Sequence, residues 1–337
     1  MLNKIKICVV GMGRAGELHA QNFAEKIRDA ELKAIVDPIE FLGKKFSEEL
    51  GVPYYTNFNT ALAKEKFDAV VICTPSFTHA SLIIEATEHG KHILCEKPLA
   101  LNLKDADRSI EAAEKAKVKL QVGYMRRFDK YYSEAKNKIE KGEIGEPLIF
   151  KSTARDPSLP SGWTVDPSLS GGIFFDMLSH DFDTARWLMN KEVKTVYAQG
   201  GAYIYKEAKE KGDLDMVGVT LTFDRKGIGL TEGCRKCTYG YDLRTEVVGT
   251  EGTITIGNPY DLNLMVGKRE GLIPKKAEWF WERFNDAFLA EDKHFVNCIK
   301  NNEKPLVNGQ EGKKALEIAL ACRESIKINK PVNIGGD

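Results

Sequence analysis

The chain has 337 residues, with 49 basic and 49 acidic side chains and a formal net charge of zero. This length predicts two domains. A balanced charge without a long basic run argues against a nucleic-acid partner, because phosphates are neutralised by clustered Lys and Arg. Apolar runs such as Ala69–Cys73 are far shorter than the ~18–20 residues that a membrane span needs. The N-terminal segment lacks the long apolar stretch of a signal peptide, so we expect a cytoplasmic protein without a membrane partner.

The seven cysteines are scattered along the chain and odd in number, which argues against a disulfide framework. Cys234 and Cys237 form one C-x-x-C without a second pair at zinc-finger spacing, in a Gly- and Thr-rich stretch that predicts a strand. A structural role is favoured over a metal or redox site, and we predict no bound metal.

Up to about residue 125, short apolar runs alternate with segments of helical spacing. The predicted strands are Ile5–Val10, Leu32–Val36, Ala69–Cys73, His92–Cys95 and Leu120–Val122. The predicted helices are Arg14–Lys26, Ile39–Leu50, Thr78–His89 and Leu103–Lys117. Nearly all-apolar strands that alternate with helices indicate a parallel sheet covered on both faces. This is the doubly wound α/β fold of a Rossmann domain, which we place at residues 1–124.

Residues 125–337 have a different rhythm, with consecutive strands and few helices. The predicted helices are Phe128–Lys141, Ile173–Met189, Phe284–Lys300 and Gly309–Ile328. The predicted strands are Leu148–Thr153, Val193–Ile204, Met216–Phe223, Gly227–Arg235, Leu243–Val248, Gly252–Ile256 and Leu262–Val266. Short connections between strands predict a C-terminal α/β domain with a mostly antiparallel open sheet.

A G-x-G-x-x-G motif, Gly11-Met12-Gly13-Arg14-Ala15-Gly16, directly follows the first predicted strand and opens the first helix. The first glycine permits a tight turn, the second lets the backbone approach a pyrophosphate, and the third lets the helix pack on the strand. The start of the helix then offers N–H groups to the anion. We expect residues 11–15 to bind a dinucleotide.

The second strand ends in Asp37, 21 residues after Gly16. An acid at this position accepts hydrogen bonds from the adenosine ribose and repels a 2′-phosphate. The next residue is Pro38, where an NADP enzyme would favour Arg or Ser. The pattern predicts NAD as the cofactor. The alternative is a nucleotide-free domain in which Asp37 only caps a helix.

Further polar residues follow the later strands of the first domain, at the edge where open α/β sheets bind ligands. These segments are Thr74-Pro75-Ser76-Phe77-Thr78-His79, Glu96-Lys97-Pro98 and Tyr124-Met125-Arg126-Arg127-Phe128. In the second domain, Asp176 and His180 lie four residues apart in a helical pattern, which predicts that they project from one face. Histidine suits acid–base chemistry because its ordinary pKa is about 6.5. A solvated Lys97 and a surface Asp/His pair are the structural alternatives.

Together with Gly171-Gly172-Ile173-Phe174-Phe175-Asp176-Met177-Leu178-Ser179-His180-Asp181, these motifs resemble the Gfo/Idh/MocA family of sugar and polyol dehydrogenases over essentially the whole chain. The resemblance implies Lys97, Asp176 and His180 as catalytic residues. It implies cofactor contacts from Thr74, Pro75, Ser76, His79, Glu96, Lys97 and Arg126, besides the glycine turn and Asp37. Substrate contacts are implied for Lys97, Arg127, Asp156, Asp176, His180 and Tyr239.

We therefore expect an NAD-dependent dehydrogenase of a cyclic polyol, with myo-inositol oxidised to an inosose as the favoured reaction. Another sugar or inositol isomer is the alternative substrate. A non-catalytic dinucleotide-binding sensor is the alternative from a different class, disfavoured because a sensor has no need of three catalytic-type residues. The resemblance also implies a homotetramer or homodimer, and an exposed apolar sheet face is a physical reason for association.

Overall fold

The computed structural model describes residues 4–257, 261–268, 271–275 and 279–335. The chain divides into two compact units. The first unit comprises Met1–Phe128 and Asn285–Leu316, and the second comprises Asp129–Phe284 and Glu317–Asp337. None of the helices within the described ranges has the length and hydropathy needed to cross a membrane.

The first unit contains a six-stranded parallel sheet with the strand order β3-β2-β1-β4-β5-β6. Its strands are β1 (Ile5–Val10), β2 (Ala30–Val36), β3 (Tyr54–Tyr55), β4 (Ala69–Ile72), β5 (His92–Glu96) and β6 (Leu120–Gly123). Its helices are α1 (Arg14–Gln21), α2 (Glu40–Leu50), α3 (Phe58–Lys64), α4 (His79–Glu88) and α5 (Leu103–Ala116). The predicted doubly wound fold is confirmed.

The sequence prediction missed β3 and α3, and it extended α1 too far. The two-residue strand Tyr54–Tyr55 is too short for a periodic signal. The predicted helix Arg14–Lys26 is α-helical only to Gln21 and continues as a wider π-helical turn over Asn22–Lys26.

The second unit is built on a seven-stranded sheet with the order β12-β11-β7-β10-β9-β8-β15. The strands of this unit are β7 (Pro147–Arg155), β8 (Val193–Gly201), β9 (Met216–Phe223), β10 (Ile228–Cys234), β11 (Asp242–Gly249), β12 (Thr253–Ile256), β13 (Asp261–Lys268), β14 (Gly271–Lys275) and β15 (Val332–Asn333). Strands β13 and β14 pair separately. In the seven-stranded sheet, β7 and β10 are parallel and the other described pairs are antiparallel, as predicted.

The helices after the first sheet are α6 (Lys130–Glu140), α7 (Pro167–Ser170), α8 (Ile173–Asp176), α9 (Ser179–Met189), α10 (Lys206–Lys211), α11 (Phe280–Lys300) and α12 (Gly309–Ile328). The residue range 285–316, which the sequence division places in the second domain, belongs to the first unit. Phe295 and Val296 of α11 explain this difference, because both are buried in the same core cluster as Ile7 and Val9 of β1. A local sequence pattern does not show which sheet a helix covers.

The prediction of one helix from Ile173 to Met189 is wrong. The helix is interrupted at Met177 and Leu178, where the N–H of Leu178 donates to the carbonyl of Ile173, five residues back. The argument that Asp176 and His180 share one helical face therefore loses its basis, since it assumes a continuous helix.

The seven-stranded sheet has one buried and one exposed face, and residues along β9 alternate strictly between the two. The strand register aligns Tyr197, Thr220 and Leu230 side by side on the exposed face, with Ile228 two residues along β10 from Leu230. This face therefore carries large apolar side chains within the unit.

Candidate functional site

The turn after β1 shows why each glycine of the motif is present. Gly11 has a φ of +92°, and a Cβ there would lie 2.7 Å from the carbonyl oxygen of Cys73. A Cβ on Gly16 would lie 1.8 Å from the carbonyl oxygen of Gly11. A Cβ on Gly13, by contrast, would meet no described protein atom within 4 Å. Packing accounts for the first and third glycines, and the space at Gly13 fits a ligand that approaches the backbone.

Helix α1 begins directly after Gly13, and no side chain caps it within the described chain. The first N–H groups of a helix have no partner inside the helix and carry a partial positive charge. The backbone of Arg14 and Ala15 at this helix start is therefore suited to a pyrophosphate.

The Asp37 carboxylate is buried and bound to the glycine turn. Its Oδ2 accepts the N–H of Met12 at 2.7 Å, and its Oδ1 accepts the N–H of Ile39 at 2.7 Å. The N-cap residue of α2 is Ile39, which makes no side-chain capping hydrogen bond. Asp37 is therefore not the cap residue of that helix. Each carboxylate oxygen keeps acceptor capacity for ribose hydroxyls. The residues present thus fit NAD, with Met12 contributing through its backbone.

The segment after β4 contains Thr74, Pro75, Ser76 and His79. The ring of His79 is buried, with Nδ1 2.7 Å from the carbonyl oxygen of Pro98 and Nε2 2.9 Å from that of Thr74. His79 therefore ties this segment to Glu96-Lys97-Pro98, and both of its ring nitrogens face backbone atoms. Its predicted cofactor contact has no support from this orientation and stays a prediction.

Arg126 and Arg127 lie in a 3₁₀ turn after β6 and are both buried. The Nη2 of Arg127 donates to Oε2 of Glu311 at 2.6 Å. This ion pair fixes the guanidinium within the first unit. The predicted contacts of Arg126 with cofactor and of Arg127 with substrate remain predictions.

In the second unit, Asp176 at the end of α8 is bound by a residue that the sequence analysis missed. Arg235 is fully buried, and its Nη1 donates to Oδ2 of Asp176 at 3.1 Å, while Nη2 donates to Oδ2 of Asp213 at 3.4 Å. The Oδ1 of Asp213 accepts the N–H of Ile173, the first residue of α8. Burial raises the pKa of Asp213, and the charge of Arg235 opposes that shift. Arg235 and Asp213 therefore fix both ends of α8.

The sequence signal for Arg235 was a cation between the two cysteines of the C-x-x-C motif, at the end of a strand. That pattern does not indicate a buried ion pair, since arginine is seldom fully buried without a partner. His180 lies near the start of α9 and is almost fully buried, and its carbonyl oxygen accepts the hydroxyl of Thr184 at 2.7 Å.

The register of β7, β10 and β11 gathers further polar groups at one end of the second sheet. Arg155 lies opposite both Cys234 and Asp242. Its Nη1 donates to the Tyr239 hydroxyl at 2.9 Å, and that hydroxyl donates to Oδ2 of Asp242 at 2.7 Å. Partial burial and the Asp242 hydrogen bond raise the pKa of Tyr239 to about 12. The phenol therefore stays protonated at neutral pH.

Asp156 joins the same end of the sheet, because its N–H donates to the carbonyl oxygen of Cys234 at 2.9 Å. Cys234 directly precedes Arg235, which holds Asp176. The second unit therefore links Asp156 and Asp176 to consecutive residues of one strand end. This edge combines carboxylates, a phenol and guanidinium groups, which are the donors and acceptors that a polyhydroxylated ring requires.

Comparison with known proteins identifies the family. A family model described as an oxidoreductase family with an NAD-binding Rossmann fold matches residues 5–124. The model of that family's C-terminal α/β domain matches residues 136–334. The chain belongs to the Gfo/Idh/MocA oxidoreductase family. The expected fold, NAD as cofactor and the enzyme class are thereby confirmed.

Several relatives match over nearly their whole length. The myo-inositol 2-dehydrogenase of Thermotoga maritima is 38% identical, over 98% of each chain. The NAD⁺-dependent scyllo-inositol 2-dehydrogenase of Bacillus subtilis is 34% identical, over 99% of this chain and 97% of the relative. The crystal structure of scyllo-inositol dehydrogenase from Lactobacillus casei with bound NAD(H) and scyllo-inositol is 33% identical, with a TM-score of 0.93 over 99% of this chain and 100% of that one.

Proposed function

We propose that this Gfo/Idh/MocA oxidoreductase oxidises one secondary alcohol of a cyclic polyol, with myo-inositol as the favoured substrate and an inosose as the product. The proposal rests above all on the polar end of the second sheet, where Asp156 directly follows β7, Tyr239 precedes β11, and Arg235, directly after β10, holds Asp176 of α8. This edge occurs in a chain that is 38% identical over 98% of its length to a myo-inositol 2-dehydrogenase.

In the proposed cofactor site, the backbone of residues 11–15 holds the pyrophosphate and Asp37 accepts the adenosine ribose hydroxyls. Thr74, Pro75, Ser76, Glu96 and Arg126 are the proposed contacts nearer the nicotinamide. When bound, NAD supplies the acceptor for the hydride of the carbinol carbon. The residues of the chain need only orient the alcohol and accept its hydroxyl proton.

The proposed chemistry needs a proton acceptor and a cation at the reacting hydroxyl. His180 accepts the hydroxyl proton, Asp176 orients the substrate and the base, and Lys97 donates a hydrogen bond to the oxygen as it becomes a carbonyl. The carbinol carbon loses a hydride and the oxygen loses a proton, so the alcohol becomes a ketone. Arg127, Asp156 and Tyr239 are the proposed contacts to the remaining hydroxyls.

The test is NADH formation by the purified protein with a panel of inositol isomers and aldoses. The proposal expects turnover with myo-inositol and weaker or no turnover with aldoses. Higher kcat/KM with scyllo-inositol or another sugar would reassign the substrate. NAD binding without turnover of any panel member would favour the non-catalytic sensor.

We further propose a cytoplasmic homo-oligomer, as a tetramer or a dimer. The aligned Tyr197, Leu230 and Ile228 on the exposed face of the second sheet support association through that face. All seven cysteines are free, which fits a reducing compartment. Light scattering of the wild type and of Leu230→Glu tests the assembly, and a monomeric wild type would refute it.

A further inference from the structure

The first unit contains a buried polar cluster that includes Glu96, the residue directly before Lys97. The sequence did not predict this cluster. His19 of α1 and Asp292 of α11 are fully buried. The Nδ1 of His19 lies 2.7 Å from Oδ1 of Asp292, and its Nε2 lies 3.2 Å from Oε1 of Glu96 at the end of β5. One imidazole thus connects the helix after the glycine turn to the strand that leads into Lys97.

The partners of His19 determine its protonation. A neutral imidazole has one N–H, whereas an ionised carboxylate only accepts hydrogen bonds. Burial raises the pKa of Asp292, and the charge of His19 opposes that shift. With both carboxylates ionised, each ring nitrogen donates to one of them and the ring is an imidazolium. Burial opposes this charge, but Asp292 and Glu96 outweigh it and raise the pKa of His19 well above 6.5.

The surrounding groups hold the ring in place. The side-chain amide of Asn22 donates a hydrogen bond to Oδ2 of Asp292 at 2.9 Å. The Oδ1 of Asn22 in turn accepts a hydrogen bond from Nζ of Lys26 at 3.1 Å. The ring of Phe288 packs on His19 in an edge-on arrangement, with 5.5 Å between the ring centroids. Asp292, one hydrogen-bonding partner of the ring, is therefore itself anchored.

The cluster acts on Lys97 through Glu96. While Oε1 of Glu96 faces His19, its Oε2 accepts the backbone N–H of Lys97 at 3.2 Å. We propose that His19 is a positioning residue for Lys97. As an imidazolium, His19 holds the Glu96 carboxylate against the backbone of Lys97. The proposal rests on the proposed function only in that Lys97 is taken to act on the reacting oxygen.

The charges that face His19 come from three elements. Asp292 and Glu291 belong to α11, Glu96 to β5, and the Asn22–Lys26 pair follows α1. The half-buried Cys73 thiol stays neutral, since burial and these carboxylates raise its pKa. Deprotonation of His19 would leave the carboxylates to repel one another, so the charge of the ring and its position are coupled.

The first experiment measures the charge without using activity. The ring nitrogens of the ¹⁵N-labelled protein are observed by NMR at neutral and mildly alkaline pH, with the His19 signal identified by its loss in His19→Gln. We expect both nitrogens to be protonated. His92 at the other end of β5, where its Nδ1 accepts the N–H of Lys119, is the matched control. A neutral His19 tautomer, or a stoichiometric metal ion on His19, Glu96 and Glu291, would overturn the proposal.

The second experiment measures positioning. In His19→Gln we expect kcat to fall roughly 10- to 100-fold, with the dissociation constant for NAD nearly unchanged. The primary deuterium isotope effect on kcat should rise, because hydride transfer becomes more rate-limiting, whereas partial unfolding would only reduce the active fraction. His92→Gln should match the wild type in both. An unchanged kcat and isotope effect in His19→Gln would refute the positioning role.

Asp292→Asn provides a second variant if His19→Gln does not fold. It removes one of the two carboxylates that keep the ring charged, so the pKa of His19 falls. Activity should then decrease as pH rises through that pKa, giving a descending limb that the wild type lacks; its absence would contradict the proposal. If the wild type oxidises no polyol, the proposed function fails, while the NMR result still decides the charge of His19.

Discussion

The guanidinium of Arg235 binds the carboxylate of Asp176 at 3.1 Å, and Arg235 is fully buried. Removing one partner of a buried ion pair leaves an uncompensated charge, which costs about 3–5 kcal/mol. We expect Arg235→Met to lower the free energy of unfolding by this amount, since both Asp176 and Asp213 lose their cation. Urea denaturation measures the change.

The matched control for this prediction is Arg225→Met, on an exposed turn, where the change should stay within about 0.5 kcal/mol. A loss in Arg235→Met no larger than in Arg225→Met would show that the buried pair contributes nothing to stability.

Gly13 and Gly16 should respond differently to alanine. Because a Cβ at Gly13 meets no described atom within 4 Å, Gly13→Ala should fold normally but bind NAD at least tenfold more weakly, about 1.4 kcal/mol. Gly16→Ala places a Cβ 1.8 Å from the carbonyl oxygen of Gly11, so it should lower the thermal midpoint. Calorimetry and NAD titration separate the two effects. If Gly13→Ala binds NAD with wild-type affinity, the pyrophosphate does not bind at this turn.

Asp37 should determine coenzyme choice. Its charge is held beside the glycine turn by the N–H groups of Met12 and Ile39. Asp37→Ser should lower the ratio of kcat/KM for NAD to kcat/KM for NADP at least tenfold, which corresponds to about 1.4 kcal/mol of transition-state free energy. Glu40→Ser, which removes an exposed acid three residues later, is the control and should leave the ratio unchanged. Equal use of both coenzymes by the wild type would contradict this assignment.

His180 should govern the pH dependence of polyol oxidation. A general base must be neutral to accept a proton, so the rate should rise with pH through the apparent pKa of the group and then level off. His180→Ala should reduce oxidation by roughly 10²–10⁴-fold and abolish the ascending limb. The exposed His89→Ala should leave the profile unchanged. Should the limb persist in His180→Ala, the proton acceptor is another group, with Lys97 the first to test.

Lys97 should affect chemistry more than folding. Lys97→Ala should lower turnover on the order of 100-fold, as electrostatic groups at reacting oxygens do, with little change in the thermal midpoint. Lys104→Ala, at an exposed position of α5, is the control. A destabilised Lys97→Ala that retains near-normal turnover would make the role of Lys97 structural.

The sequence by itself determined the features that depend on local spacing. The alternation of apolar runs and helices specified the parallel sheet, because both faces of such strands must be apolar. The glycine turn, followed at a fixed distance by Asp37, specified the NAD site. The glycines are needed there for their backbone conformation and Asp37 for its charge. Gly309–Ile328 was predicted with the bounds that α12 has.

Only the tertiary structure decided which distant residues meet. The return of Asn285–Leu316 to the first unit brings Asp292 to His19, 273 positions away. In the second unit, Arg235, directly after β10, meets Asp176 of α8, 59 positions away. The interruption between α8 and α9 likewise does not follow from helical periodicity. Buried charges are stable only beside their partners. The partners are chosen by chain topology, which local sequence patterns do not record.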